Sequence, residues 1–388
     1  MLLIRNANIY APEALGIKDI LIAEGKIIAI DDHLENHSGI DQEWNAAGRI
    51  ITPGFIDQHI HIIGAGGKHG FSSMTPELQL SELVACGSTT VVGLLGTDGC
   101  TKNVRNLYSK VKALEQEGLS AYMFTGYYGL DPMYIMDSVQ EDLTFIDKVL
   151  GCKIAISDIR SSYPTALELV RLLREVMVGG MLASKKGILH LHLGNLESKM
   201  DVLFELVEKY EFPIKHISPT HVGRTKELFD EAIRFAKLGG MIDITTGASR
   251  FTAPYLAVLE ALEQGVSIDT MTFSTDGNAG LDKKDESGKI IGVRRAPIEA
   301  NLIEVVNLIK KGGLPIEQAI RLVTVNPAVN LGLPQKGRIK VGCDADFCSF
   351  SENMELKDVI ARGVMKMQEG VVVKKGNYEP ENQAWQVK

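Results

Sequence analysis

The sequence predicts a (β/α)8 TIM barrel with a small β-sandwich domain formed by both chain termini. Three observations predict it. The middle of the chain alternates strand-like and helix-like segments, the pattern of a parallel sheet wrapped by helices. Eight such units fit into about 250 residues, the usual span of a barrel of this kind. Both ends of the chain read as β structure, with short β-prone runs cut by Gly and Asp turns.

The elements follow in order. Residues 2–9, 19–23 and 26–30 are short β-prone runs, and Glu24-Gly25 between the last two reads as a tight hairpin turn. The candidate barrel strands are 55–62, 89–95, 121–128, 153–157, 187–193, 214–221, 241–246 and 271–276. At the far end, 338–341, 345–350, 356–361 and 363–373 return to β character. The implied division is 1–51 with 338–388 for the small domain, and 52–337 for the barrel. An open doubly wound sheet is the competing arrangement, but no Gly-x-Gly-x-x-Gly turn follows an early strand.

Bulk properties exclude several functions. The chain has 388 residues, 45% of them hydrophobic, enough for one large core and a smaller one. The formal net charge is −8, with no long block of either sign, so no basic stripe for nucleic acid is expected. Cys86, Cys100, Cys152, Cys343 and Cys348 are odd in number and form no Cys-x-x-Cys, which reads as reduced thiols in a cytoplasmic protein. Arg5 and Asn6 interrupt the apolar start, so no signal peptide is expected. No apolar run approaches the roughly 20 residues that span a bilayer, and no membrane partner is expected.

In a barrel, chemistry belongs at the C-terminal ends of the strands. His59 and His61 stand two apart in one strand, so their imidazoles face the same side and can chelate one metal. Lys153 lies in an apolar strand, either at an exposed edge or inside a site with a depressed pKa, where its neutral amine could take up CO₂ as a carbamate. His192 ends its strand before Gly194-Asn195; His190 points the same way one layer deeper, as a core or supporting residue. His221 also ends a strand, whereas His216 precedes the apolar stretch and reads as structural. Asp276 meets a Gly turn at the last strand end. Four histidines, a lysine and an aspartate on five strands suit a dication with N and O ligands, zinc by default.

This order of residues resembles the amidohydrolase superfamily. Pro53-Gly54-Phe55-Ile56-Asp57-Gln58-His59-Ile60-His61 is similar to its first-strand motif, and Gly342-Cys343-Asp344-Ala345-Asp346-Phe347 to its closing motif. Further words resemble isoaspartyl (β-aspartyl) dipeptidases: the run from Val91 to Asp98, Ala155-Ile156-Ser157-Asp158, Pro219-Thr220-His221-Val222, Ile242-Asp243-Ile244-Thr245 and Ser274-Thr275-Asp276-Gly277-Asn278. The likeness covers essentially the whole chain.

The resemblance implies two Zn²⁺ per subunit. His59 and His61 would hold one, His192 and His221 the other, and carbamylated Lys153 would bridge both. Asp276 would be a metal ligand and the general acid/base, and a hydroxide between the metals the nucleophile. Thr97, Tyr128, Arg160 and Arg224 fall where the family binds substrate; of Tyr127 and Tyr128 the second is chosen. The implied substrate is a small β-aspartyl dipeptide, and the implied assembly a large homo-oligomer such as an octamer. Two positions depart. Lys68 stands where the family has a glutamate for the substrate's α-amino group, and Gly280 where it has a serine for a substrate carboxylate. The competing activity is another binuclear-zinc amidohydrolase acting on a cyclic or other acidic amide, as in dihydroorotases and hydantoinases. A non-enzymatic assembly protein of the same fold should lack some ligands, and all six are present.

Overall fold

The computed structural model describes residues 1–36, 38–248 and 250–379. The chain begins with β1 (Leu2–Tyr10), β2 (Ala14–Ala23), β3 (Lys26–Asp31), β4 (Gln42–Asn45) and β5 (Ile50–Pro53). Strand β1 pairs antiparallel with β2, and parallel with β4 near its start and β5 near its end. The β2–β3 turn is the expected one: Ala23 pairs with Lys26, and Glu24 and Gly25 have φ of 50° and 74°. Positive φ at both central residues is what a type I′ hairpin requires.

The barrel strands are β6 (Phe55–Ile60), β7 (Ser88–Gly93), β8 (Ser120–Gly126), β9 (Val149–Ile156), β10 (Ile188–Leu193), β11 (Ile217–Thr220), β12 (Ile242–Thr245) and β13 (Met271–Ser274). They form one parallel sheet in chain order. A parallel bridge from Ile60 to Gly277 brings its two edges together, and the His61 amide donates to the Gly277 carbonyl at 3.0 Å. Every residue of β9 and β10 is buried. Burial on both faces explains why these strands are continuous apolar runs, broken only by residues with work inside the barrel. The run 214–221 divides: Ile214–His216 is a 3₁₀ turn, and β11 begins after it.

Helices wrap the sheet. Lys226–Lys237 shows how sequence selects them. The Thr225 side chain caps its start by accepting from the Leu228 amide, and Leu228, Phe229, Ala232, Ile233 and Ala236 recur at helical spacing on the buried side. Phe229 is fully buried, and its truncation to Ala should cost about 3–5 kcal/mol.

After β13 comes a hairpin, β14 (Gly280–Lys284) and β15 (Ile290–Arg295), which the sequence reading did not include. The chain closes with β16 (Phe347–Phe350), β17 (Leu356–Ala361), β18 (Val364–Gln368) and β19 (Val371–Val372). Strand β16 pairs antiparallel with β5, joining both ends of the chain in one nine-stranded sheet. Ile4, Ile9, Ile20 and Ile51 share a core with Ala345, Phe347 and Ile360. Residues 338–341 form no strand. The Lys340 carbonyl is taken by a turn to the Cys343 amide at 2.9 Å, so the run bends instead of extending, yet Ile339 is still buried in the terminal core.

Lys336 pins the terminal sheet to the barrel. Its buried ammonium donates to Ser120 at the start of β8, at 2.5 Å, and to Asp344 and Asp346 at 2.7 and 2.6 Å. Among the described residues no helix is long and apolar enough to cross a membrane.

Candidate active site

The sequence-predicted polar residues converge at the C-terminal end of the barrel. Strand β6 slips register against β7 between Asp57 and Ile60. Through that irregularity the neighbours Gln58 and His59 both contact groups across the barrel. Gln58 donates to Asp243 and Thr272, while His59 reaches Asp276 and His190. His61, just beyond the strand, meets the same Asp276 oxygen: Nε2 of His59 and of His61 lie 3.3 and 3.1 Å from Oδ1. His59, His221 and Asp276 each place a ligand atom within 4.8 Å of the others. Lys153 Nζ is 3.4 Å from His59 Nε2. His192 lies beside His221, ring centroids 4.6 Å apart, but its Nε2 engages Asp158 at 3.0 Å.

Two of the rings are held from behind. His59 Nδ1 shares a hydrogen bond with His190 Nε2 at 2.9 Å, and His221 Nδ1 is 2.6 Å from the Thr245 hydroxyl. Such contacts fix tautomer and ring orientation. His190 thus lies one layer below the cluster, and His216 is tied to the Gly187 carbonyl at 2.7 Å, outside it. His221 and Asp276 also have positive φ, 65° and 50°. Neither is glycine, so each position carries backbone strain of the kind that collects at functional sites.

Burial sets the charges. It pushes the His59 pKa down to about 3, and those of His190, His192 and His221 well below the usual value. The rings are therefore neutral and have lone pairs to offer. Burial also lowers Lys153 to about 7, although Asp276 opposes the shift. Its amine is then substantially unprotonated near neutrality. Asp276 is ionised: burial opposes this, but His221 nearby and hydrogen bonds from His59 and His61 hold the carboxyl well below its ordinary range.

This donor set fits divalent metal. Neutral imidazoles, a carboxylate and a fully buried amine face one another, and His61 Nδ1 is a buried nitrogen with no hydrogen-bond partner among the described residues. Nitrogen and oxygen donors in this mixture suit zinc and its neighbours.

Above the cluster opens a cavity of about 830 Å³. His61, His192 and Asp276 reach its floor, and Thr97, Tyr128, Arg160 and Arg224 line it. The Tyr128 hydroxyl is 2.7 Å from His192 Nδ1; burial raises its pKa, so it keeps its proton and can donate. Arg160 is clamped by Asp158 through two bonds of 2.9 and 2.6 Å and reaches Thr97 at 3.4 Å. Arg224 Nε is buried without a partner among the described residues, a position that an incoming carboxylate would relieve.

The two departures, Lys68 and Gly280, lie together on the rim. Lys68 bonds Asp282 at 2.5 Å, and His69 bonds the other oxygen of that carboxylate at 2.8 Å. A Cβ on Gly280 would sit 2.8 Å from Gly66 Cα, so the glycine permits the close approach of the 64–74 loop to β14. Sequence reading missed Asp158, Asp282 and the hairpin. The Asp158-x-Arg160 spacing was an available signal for the first, and the turn residues Asp285, Ser287 and Gly288 for the last.

The amidohydrolase family profile matches residues 181–368. The structure of a β-aspartyl dipeptidase from Fervidobacterium islandicum AW-1, in complex with β-Asp-Leu dipeptide, superposes with a TM-score of 0.90 at 40% identity, covering 97% of this chain and 100% of that one. Dihydroorotases are more distant. That of Listeria monocytogenes serotype 4a (strain HCC23) is 29% identical over 40% of this chain, a match that spans only 37% of the relative's length. That of Wolbachia sp. subsp. Drosophila simulans (strain wRi) is 24% identical over 90% of this chain and 86% of its own. A D-hydantoinase at 19% identity and TM-score 0.66 shares the fold. The chain is a hydrolase of the amidohydrolase superfamily and belongs to its β-aspartyl dipeptidase family.

Proposed function

We propose that the protein hydrolyses the isopeptide amide bond of β-aspartyl dipeptides with the help of two Zn²⁺. The observation that carries the reading is the convergence of buried neutral donors and an ionised Asp276 beneath two arginines in one cavity. His59, His61, His192, His221 and Asp276 would hold the metals, with carbamylated Lys153 between them. Bound zinc would supply a hydroxide near neutral pH and polarise the amide carbonyl.

The chain's own residues do the rest. Arg160 and Arg224 grip the two carboxylates of a β-aspartyl dipeptide, for which a rigid bidentate fork is suited. The Asp158 clamp holds the Arg160 guanidinium in place before substrate arrives. Tyr128 retains its proton and donates to the oxygen that gains charge, a contact worth roughly 3–4 kcal/mol in comparable sites. Asp276, ionised at rest, accepts a proton and returns it to the leaving nitrogen.

The test is a panel of β-Asp-Leu, α-Asp-Leu and dihydroorotate, assayed with zinc-loaded protein beside a metal count. About two metals per chain and turnover of the β-isomer alone are expected. Turnover of dihydroorotate without β-Asp-Leu would assign the site to the cyclic amides.

A further inference from the structure

Besides Arg224, three cations on the cavity wall meet no carboxylate among the described residues. Lys284, at the end of β14, and Arg294, on β15, line the cavity and make no side-chain hydrogen bond or ion pair among the described residues. Arg250 lines it too; its guanidinium donates to the Thr246 carbonyl at 2.5 Å but meets no carboxylate. The other cations are spoken for. Lys68 is balanced by Asp282, and Arg160 is held by Asp158. In the reading above, Arg160 and Arg224 answer the two carboxylates of a dipeptide. Among the described residues, only Asp276 and Asp282 bring negative charge to the lining. A cavity so lined concentrates anions and favours the more highly charged of two similar ligands.

We infer that the site recognises an acyl-amide with a third carboxylate, held by Lys284 and Arg294, with Arg250 a further cation lining the same cavity. The inference rests on the β-aspartyl dipeptidase reading and adds the charge class of the substrate to it. The third carboxylate can enter at either end of such a molecule. It is the side chain of the leaving residue in β-Asp-Glu, and an acidic acyl group on the α-nitrogen in N-succinyl-β-Asp-Leu. Lys68 is not its partner, because Asp282 already neutralises that ammonium.

The experiment compares kcat/KM for β-Asp-Glu with its uncharged isostere β-Asp-Gln, and for N-succinyl-β-Asp-Leu with the corresponding succinamide. At low ionic strength one of these ratios should be about fivefold or more, the size expected of two partly exposed pairs acting together. It should shrink towards one at about 0.5 M salt, where the screening length is only a few ångströms. The arm that shows the preference identifies the end that carries the carboxylate. In the double variant Lys284→Gln/Arg294→Gln that ratio should fall to about one; a preference that survives there overturns the assignment to these side chains. Both ratios near one in the unaltered enzyme, with β-Asp-Gln turned over, overturn the third carboxylate and leave the dipeptidase reading standing. No turnover of any β-aspartyl compound removes that reading and the inference with it.

Discussion

The floor and the rim of the cavity hold charge in different ways. On the floor, Lys153 is fully buried, has no carboxylate in hydrogen-bond contact among the described residues, and loses its proton near neutrality because burial desolvates the ammonium. On the rim, the Lys68 side chain is 65% exposed and sits against Asp282. The same residue type is a candidate nucleophile toward CO₂ in one place and an ordinary salt-bridge partner in the other. The difference is desolvation, which is worth several kcal/mol per buried charge and almost nothing at the surface. The floor should therefore answer to pH and metal, and the rim to salt.

The strongest way to break this contrast is Asp276→Asn. Removing the carboxylate should lower kcat by about three orders of magnitude with the fold intact, since proton transfer typically contributes 10²–10⁴-fold. Circular dichroism and steady-state assays check both halves, and near-normal turnover would displace Asp276 from its role. Next is Lys153→Ala. Metal affinity should fall at least ~100-fold, more than loss of a group merely supporting a ligand causes. Added short carboxylic acids should recover part of the bound metal, as measured by elemental analysis. An unmodified Lys153 amine in a metal-loaded, active enzyme would remove the carbamate.

Acid should expose the floor without any substitution. An unfolded histidine titrates near 6.5, whereas folded His59 does so at about 3, and His190, His192 and His221 are also well depressed. As pH falls from 7 to 5 the unfolded chain takes up protons that the folded protein refuses. Each such ring then withdraws about 2 kcal/mol of stability. Asp57, raised to about 7 by burial, and Asp243, also raised, work in the opposite sense but are outnumbered. Chelator-treated protein should show a lower urea midpoint at pH 5 than at pH 7, and an unchanged midpoint would mean that the rings carry protons when folded.

The rim should respond least. Gly280→Ala forces a methyl against the Gly66 backbone and should cost about 1–3 kcal/mol, visible in Tm and in a raised KM. Lys68→Glu places like charges together at Asp282, yet at this exposure the loss should stay within about 1 kcal/mol. A larger loss at Lys68 than at Gly280 would reverse the ordering of charge and packing on the rim.

The floor was also the more legible part in the sequence. All eight barrel strands were readable, because strands buried on both faces are apolar runs in which His59, Lys153, His192 or Asp276 stands out. Their meeting point followed from the barrel rule. The rim was opaque for the opposite reason. Lys68 and Asp282 are 214 residues apart, and neither carries a local sign of the other. The hairpin strands are mostly exposed, so they lack the apolar alternation by which strands are recognised. Asp158 stands in a family word without showing its task, since its pairing with His192 depends on how β9 and β10 align. The stretch 338–341 is β-prone by composition, but the turn that ties the Lys340 carbonyl to the Cys343 amide is not visible in propensity.

The pairing of β5 with β16 has a consequence for the order of events during synthesis. Ile50–Pro53 leads straight into the first barrel strand, yet one of its neighbours in the sheet is Phe347–Phe350, some three hundred residues later. A nascent chain therefore lacks that flank of β5, and the Lys336 pin, until residues 336–350 have left the ribosome. Closure over so long a loop is slow, and until then unpaired strand edges stand exposed. The growing polypeptide should depend on chaperones more than a barrel whose sheets are complete before its last strands emerge.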